Sequence, residues 1–415
     1  MAHFPPTIDP NANTITESNP EVSNFHVLGL GVGTKYLQAD LITNESSDFG
    51  KRVRDCHAEV LARRAFRRQL SLEILHDLQS GEGSNKTGGA NSPAKMSILE
   101  RIPGSKTRYQ LKDGVTLHFY SSSTPCGNST VKKFTEMKKE KFNHCLHANE
   151  WPESAHERIG PHSVKMGQFA LLLKRDDTIL KNVDSGLVYT RFQEPPGTSL
   201  TCGLIHSCSD KICRWNCLGL QGGLLSRFFE KPIYMQTITV GRKFTNAVCR
   251  RAICCRAWGY ESSSSNGSYR LNHPTVMGTS VYVDEDGVVE MDQTTFGKNA
   301  IFESLCWVYL QGMVEREVEC IDGNTGHMHV HLSEPNESSV DGHQQHVSKV
   351  STFALYDIYR QIKDGTDSIP SSALIALNSL SLEELMAVKK KDAPNYDAAK
   401  EKFYQHRVFR AWKRR

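Results

Sequence analysis

The chain has 415 residues, 38% of them hydrophobic and 23% charged, with a formal net charge of +4. Such a composition belongs to a globular protein of one large or two ordinary domains, and it excludes collagen-like, low-complexity and strongly polyionic classes. Overall charge this mild does not by itself argue for nucleic acid.

The first 23 residues are rich in Pro, Asn and Thr and are expected to be disordered. They contain neither the basic n-region nor the apolar h-region of a secretory signal. No run approaches 18 apolar residues, so no membrane-spanning helix is expected. The twelve cysteines are therefore read as reduced, most of them small buried hydrophobes and a few available to metal. The stretch FHVLGLGVGTKYL, Phe25 to Leu37, reads as a buried strand running into a glycine turn. Gly29, Gly31 and Gly33 lack the spacing of a dinucleotide loop, so a tight turn is preferred. A helix is predicted from His57 to Leu78, and it carries four arginines, Arg63, Arg64, Arg67 and Arg68, in an otherwise half-apolar pattern.

Ser/Gly/Asn-rich stretches near 80–93, 261–268 and 333–346 read as surface loops. VTLHFYSSS, Val115 to Ser123, alternates as a strand. Helices are predicted for Lys211 to Phe229, for Phe353 to Lys363 and for the segment after Tyr396. Strands alternating with helices give an α/β class. Residues 386–415 hold ten Lys or Arg against three acids, an excess of +7 that leaves −3 for the rest of the chain. A basic tail on a near-neutral body suits a phosphate-rich partner, although most such runs are simply solvated.

The chemistry-bearing residues come from three stretches, DCHAEV, STPCGNST and SCSDKICRWN. Cys126 follows a strand, and Cys208 precedes a helix expected to begin near Asp210. A thiol at a helix N-terminus is acidified by the terminal dipole and free amides, which favours the thiolate that metals bind. One His and two Cys, here His57, Cys126 and Cys208, form a three-ligand zinc set with an open position, the catalytic pattern. Zinc acidifies water toward neutral pH, and Glu59 beside the ligand would carry protons between that water, a ring nitrogen and a leaving amine. H-x-E or P-C-G alone carries almost no weight. Cys202, Cys208, Cys213 and Cys217 could instead form a structural zinc cluster, but they contain no C-x-x-C pair.

Taken in order, D-C-H-A-E-V-x-x-R-R, P-C-G and S-C-S-D-K-I-x-R-W-N-x-x-G-x-Q-G-x-L-L resemble the adenosine deaminase domain shared by RNA-editing deaminases and tRNA adenosine deaminases. The resemblance spans 24–415, nearly the whole chain. It implies a zinc-dependent, cytidine-deaminase-like α/β core, a central mixed sheet flanked by helices, elaborated as an editase domain. It also implies His57, Cys126 and Cys208 as zinc ligands and Glu59 as proton shuttle. Other zinc deaminases use P-C-x-x-C, and Ser129 stands where the second Cys would fall. That departure favours the branch acting on adenosine in RNA, where a flipped adenine loses its amine to give inosine.

The resemblance further implies a buried inositol hexakisphosphate, held at Arg63, Arg64, Lys211, Arg214, Trp215, Lys390, Tyr396, Lys400, Trp412 and Arg415. Buried unpaired cations cost several kcal/mol each, and an internal polyanion would compensate them. Arg67 and Arg68 have no such match and are expected to face solvent. The family pattern has a lysine near Thr352, for which Lys349 is the nearest substitute. As an alternative, the C-terminal segment is an amphipathic helix with an exposed basic face.

About 23 residues ahead of the domain leave no room for a double-stranded RNA-binding module, so the expected substrate is tRNA, at A37 of alanine tRNA. An enzyme editing double-stranded RNA and an inactive RNA-binding relative are the alternatives, the latter disfavoured because all four site groups are present. The expected protein is a monomer without DNA or membrane partners, placed in the nucleus or cytoplasm, with the nucleus favoured by the substrate class.

Overall fold

The computed structural model describes residues 2–3, 25–35, 37, 50–81, 97–127, 129, 206–262, 269–284, 287–290, 303–308, 317–328, 347–364, 381–406 and 409. The larger sheet contains β1 (Ala2–His3), β2 (Phe25–His26), β6 (Thr116–Ser123), β7 (Thr237–Arg242) and β10 (Thr275–Gly278), in the order β10-β7-β6-β1-β2. It is mixed. β7 runs parallel to both β6 and β10, whereas β1 lies antiparallel to β6 and β2. Parallel neighbours need a long crossover, and the chain between β6 and β7 includes α2 (Cys208–Leu218) and α3 (Gly222–Ser226).

A second sheet pairs β3 (Gly29–Val32), β13 (Glu303–Val308) and β14 (Glu317–Asp322), all antiparallel. Short hairpins complete the strands: β4 (Leu99–Arg101) with β5 (Tyr109–Leu111), β8 (Glu261–Ser262) with β9 (Tyr269–Arg270), and β11 (Val281–Asp284) with β12 (Gly287–Glu290). The remaining helices are α1 (Ala58–Gly81), α4 (Asn246–Ile253), α5 (Thr352–Asp364), α6 (Leu382–Asp392) and α7 (Pro394–Gln405). No described helix is long and apolar enough to cross a membrane.

α1 lies on β3 and β13 because its Leu61 and Ala65 are fully buried against Cys306, Val308 and Ile321. The glycines of β3 serve this contact. A Cβ on Gly31 would stand 2.4 Å from the Ala58 carbonyl oxygen and 2.7 Å from Leu61 Cβ. Strand and helix backbones could not approach so closely with a side chain there, so the glycines are a packing device more than a turn. The strand predicted from Phe25 accordingly divides into β2 and β3.

Two other expectations change. The single helix predicted from Lys211 to Phe229 stops at Leu218, where Gly219 takes φ +77° and donates its N–H to Trp215 O. A left-handed glycine just past a helix is a common stop signal. Gln221 then fixes the new direction, donating to Leu218 O and accepting from Ile233 N. Within the expected disordered segment, Ala2–His3 bridges β2 and β6 as a strand. Of the three loops, 261–268 opens as β8, 80–93 begins as the last residues of α1, and 333–346 lies outside the described residues. The helices predicted for 353–363 and after Tyr396 are α5 and α7, and the alternating strand at 115–123 is β6.

Candidate active site

The site lies where β6 ends and α1 and α2 begin. α2 is capped by Ser207, whose hydroxyl accepts from Asp210 N while the Asp210 carboxylate accepts from Ser207 N. This reciprocal box fixes the helix start two residues earlier than expected and makes Cys208 its first residue. Gly127, at φ +94°, lets the turn after β6 press against that cap, since a Cβ there would meet Ser207 Oγ at 2.1 Å. Two bonds then join turn to helix. Ser209 N donates to Cys126 O at 3.0 Å, and Cys208 N points to Cys126 Sγ at 3.3 Å.

His57 enters from the other side, immediately before α1. The donor atoms of His57, Cys126 and Cys208 all lie within 4.8 Å of one another. Asp55 orients the imidazole, its Oδ1 accepting from His57 N at 2.9 Å and meeting His57 Nδ1 at 2.7 Å. That leaves Nε2 for the centre of the cluster, the arrangement in which a carboxylate fixes the tautomer of a metal-binding histidine. Lys211 Nζ donates to the other carboxylate oxygen, Oδ2. Burial would raise the Asp55 pKa, but Lys211 and His57 outweigh it and hold the carboxyl well below its ordinary range. Burial likewise opposes a charge on His57, and Asp55 overcomes it to raise the imidazole well above its usual value. Between the thiols, the hydrogen bond from Cys208 pulls Cys126 down, and the same bond pushes Cys208 up, with burial and the negative Cys126 adding to it. One thiolate beside one thiol is what a divalent ion would convert into two thiolates.

Two thiolates and an imidazole form the donor set of a catalytic zinc site, so the residues present fit the metal. Glu59 is buried beside them, its carboxyl raised by burial and by the charge on Cys126. Ser129 does not join the cluster; its hydroxyl donates to Pro125 O at 2.5 Å. Nor do Cys213 and Cys217, which pack with Tyr260 and Phe403 in a separate apolar cluster, so the four-cysteine alternative fails among the described residues. Cys202 lies outside them.

Behind the site is a cluster of cations. Arg63 lies 4.9 Å above the ring of buried Trp215, and its Nε lacks a hydrogen-bond partner. Burial and then Arg67 drive the Arg63 guanidinium well below its ordinary range, with Arg214 and Arg64 adding to the effect. Burial, Arg67 and Lys400 push the Lys389 ammonium down to about 7. Tyr396 stands among them, its ring 3.2 Å from where a Gly223 Cβ would be.

Three expectations are corrected here. Arg67 and Arg68 do not face solvent: Arg67 Nε donates to Gln221 O at 3.1 Å, and buried Arg68 donates to Lys349 O at 3.2 Å. Lys390 is exposed, and Lys389, one position earlier on α6, takes the inward place. The exposed side chain of Lys349 does not enter the cluster; instead Lys349 and Val350 offer carbonyl oxygens to Arg68 and Arg64. Lys211 points to Asp55 and Arg214 to Tyr404 Oη at 3.4 Å. Trp412 and Arg415 lie outside the described residues. The sequence signal for Asp55 is the D-x-H spacing, which puts it two residues before a ligand.

The adenosine-deaminase (editase) domain profile matches residues 29–415. The chain belongs to that family. It is 29% identical over 395 residues to the double-stranded RNA-specific adenosine deaminase of Mus musculus, covering 94% of this chain and 28% of that protein. It is 30% identical over 246 residues to tRNA-specific adenosine deaminase 1 of Drosophila melanogaster, covering 57% of this chain and 50% of that protein. The mouse protein of the same name is 25% identical over 316 residues, or 58% of this chain and 59% of its own length. This chain thus spans little more than a quarter of the first of these relatives and about half of the second.

Replacing Glu59 separates its proton chemistry from metal binding. Glu59→Gln keeps size and hydrogen-bonding reach, so the variant should retain full zinc content and RNA affinity. Turnover should fall ~10²–10⁴-fold or more, the usual share of a positioned general acid–base. Single-turnover rates and metal analysis on the same preparation check both halves, and near-normal turnover would remove Glu59 from the mechanism.

Proposed function

We propose that this editase-family chain hydrolyses adenosine to inosine and ammonia in RNA, within a cytidine-deaminase-like core. The observation that carries the reading is the meeting of His57, Cys126 and Cys208 beside a buried Glu59 that is not one of the three. Those three side chains would hold a zinc ion, which would supply Lewis acidity for lowering the pKa of water. The chain's own groups do the rest. Glu59 accepts one proton from the attacking water and passes it to N1 as the C6–O bond forms. It then takes the second proton from the new C6 hydroxyl and gives it to the amine, which leaves as ammonia when the C6–N bond breaks. Its carboxyl is buried beside the three ligands, within the site where protons must be taken and given. Asp55 keeps the His57 ring in one orientation, and Lys211 keeps Asp55 charged. A double-helical target must be flipped out to reach such a site, which favours loops and mismatches where unstacking is least costly.

Within that reaction we take tRNA as the substrate, at A37 of alanine tRNA, with no DNA or membrane partner, a monomeric enzyme and a nuclear location. The 30% identity to a tRNA-specific deaminase supports the substrate class. Double-stranded RNA is the second reading, favoured by a relative of that specificity aligning over 94% of this chain. Inosine formation on a panel of tRNA transcripts, with a long duplex beside them, decides between them. The tRNA reading expects alanine tRNA to be modified at A37 and the duplex to be modified far more slowly. Equal or faster reaction of the duplex would move the assignment to editing.

The basic cluster is read as the seat of inositol hexakisphosphate. Arg63, Arg64, Arg67, Arg214, Lys389 and Lys400 repel one another in a partly buried space, and Arg63 Nε has no partner. Such an array is tolerable only with a compensating anion. Tyr396 would add a hydroxyl donor and Trp215 a ring beneath Arg63. Trp412 and Arg415 complete the proposed set, and Lys211 leaves it because its ammonium is committed to Asp55. Acid-denatured pure protein should release about one equivalent of inositol polyphosphate. Arg63→Met, which removes charge but keeps length, should raise the folding yield obtained without that ligand. Protein that folds fully and releases none would refute the assignment.

A further inference from the structure

Among the described residues, Lys243 alone carries a side chain on a left-handed backbone, at φ +60°. Residues other than glycine seldom adopt that region, and those that do gather at functional sites. Lys243 directly follows β7, which ends at Arg242, and it is exposed. β7 lies parallel between β6 and β10, so the carboxyl ends of all three open on one side. Ligands of open α/β sheets bind outside such carboxyl ends. Cys126 stands on the same edge, just past the end of β6 at Ser123.

The backbone at Lys243 is held from the active-site side. Thr124, the residue after β6, donates its N–H to Arg242 O at 3.0 Å. Its hydroxyl lies 3.0 Å from Arg242 O and 2.7 Å from Lys243 O. Successive carbonyls of an extended strand point to opposite sides, so one hydroxyl meets both only because the chain turns at Lys243. Thr124 is buried and leads through Pro125 to Cys126, so this turn buttresses the one that carries a proposed ligand. That backbone task does not need a lysine. Glycine enters the left-handed region without the Cβ clash. Lysine instead sets an exposed cation at the rim of the site, on a base fixed by hydrogen bonds.

We propose, on the reading of this chain as an RNA deaminase, that Lys243 binds a backbone phosphate of the substrate RNA beside the target adenosine. A flipped nucleotide keeps a phosphate on each side, and contacts to phosphates fix register without reading base sequence. A cation on a fixed turn also loses less freedom on binding than one on a loose loop. The turn therefore serves both partners of the reaction: its carbonyls steady the approach to Cys126, and its side chain holds the strand that delivers the base.

Binding and single-turnover deamination by the full chain test this, on an alanine tRNA transcript and on a long RNA duplex over a series of salt concentrations. Lys243→Gln removes the charge and keeps the Cβ, Lys243→Gly removes both, and Lys243→Arg keeps the charge. The two neutral variants should hold as much zinc as the wild type and bind the deaminated RNA several-fold more weakly. Their log–log salt slope should be shallower by ~0.7–0.9, the share of one phosphate. The loss should fall on the half-saturating RNA concentration far more than on the rate at saturation, and Lys243→Arg should restore affinity and slope. Lys243→Gly should melt at least as high as Lys243→Gln, because it carries no Cβ in the left-handed region. Neutral variants that match the wild type in affinity and slope, with deamination intact, would overturn the proposal and leave Lys243 a turn residue only. A wild type that neither binds nor deaminates either RNA would overturn the functional reading, and this proposal with it.

Discussion

The rest of the site depends on one buried carboxylate. Asp55 accepts from the His57 imidazole with one oxygen and from Lys211 with the other, at 7% exposure. His57 stands at the head of α1 and Lys211 in the first turn of α2, so Asp55 joins the two helices that supply two of the three proposed ligands. A charge taken out of water needs full hydrogen bonding to be tolerated, and this one has an ammonium, a ring nitrogen and a backbone N–H. The Gly127 turn adds the third ligand by pressing β6 against the same helix start. Geometry at the centre thus follows from contacts made a few ångströms away.

The arginines of α1 divide by what satisfies them. Arg64, Arg67 and Arg68 each donate to a backbone carbonyl, at Val350, Gln221 and Lys349, and so tie the helix to segments far along the chain. Arg63 instead lies over Trp215, and at Nε it has no partner. Helix α2 faces the same space with Arg214, and α6 with Lys389. Three helices therefore turn cations toward one interior region, which a globular fold sustains only around an anion. Active site and cation cluster share α1 and α2, so the anion proposed for the second would brace the first.

Much of this was legible in the sequence, and the exceptions have physical causes. H-x-E, P-C-G and S-C-S-D-K each stand at an element boundary, so His57, Cys126 and Cys208 could be named without coordinates. The apolar period placed α1 and α5 closely. Lys389 and Lys390 could not be told apart, because neighbouring helical positions differ by 100° and a run of three lysines carries no period. Arg67 and Arg68 looked solvent-facing because charge usually is, and only the carbonyls of Gln221 and Lys349, 154 and 281 residues away, reveal otherwise. The break at Gly219 was hidden inside a continuous apolar pattern.

A double-mutant cycle on zinc affinity tests most directly the claim that Asp55 links His57 to Lys211. Asp55→Asn alone should weaken zinc binding ~10–100-fold, the usual effect of losing a ligand's orienting partner. With Lys211→Met already present, the same Asp55→Asn step should weaken binding much less, because the carboxylate has lost the partner that holds it in place. Residues acting in one network couple in this way, whereas independent ones add. Strictly additive losses, or an Asp55→Asn variant that binds zinc as tightly as the wild type, would contradict the account.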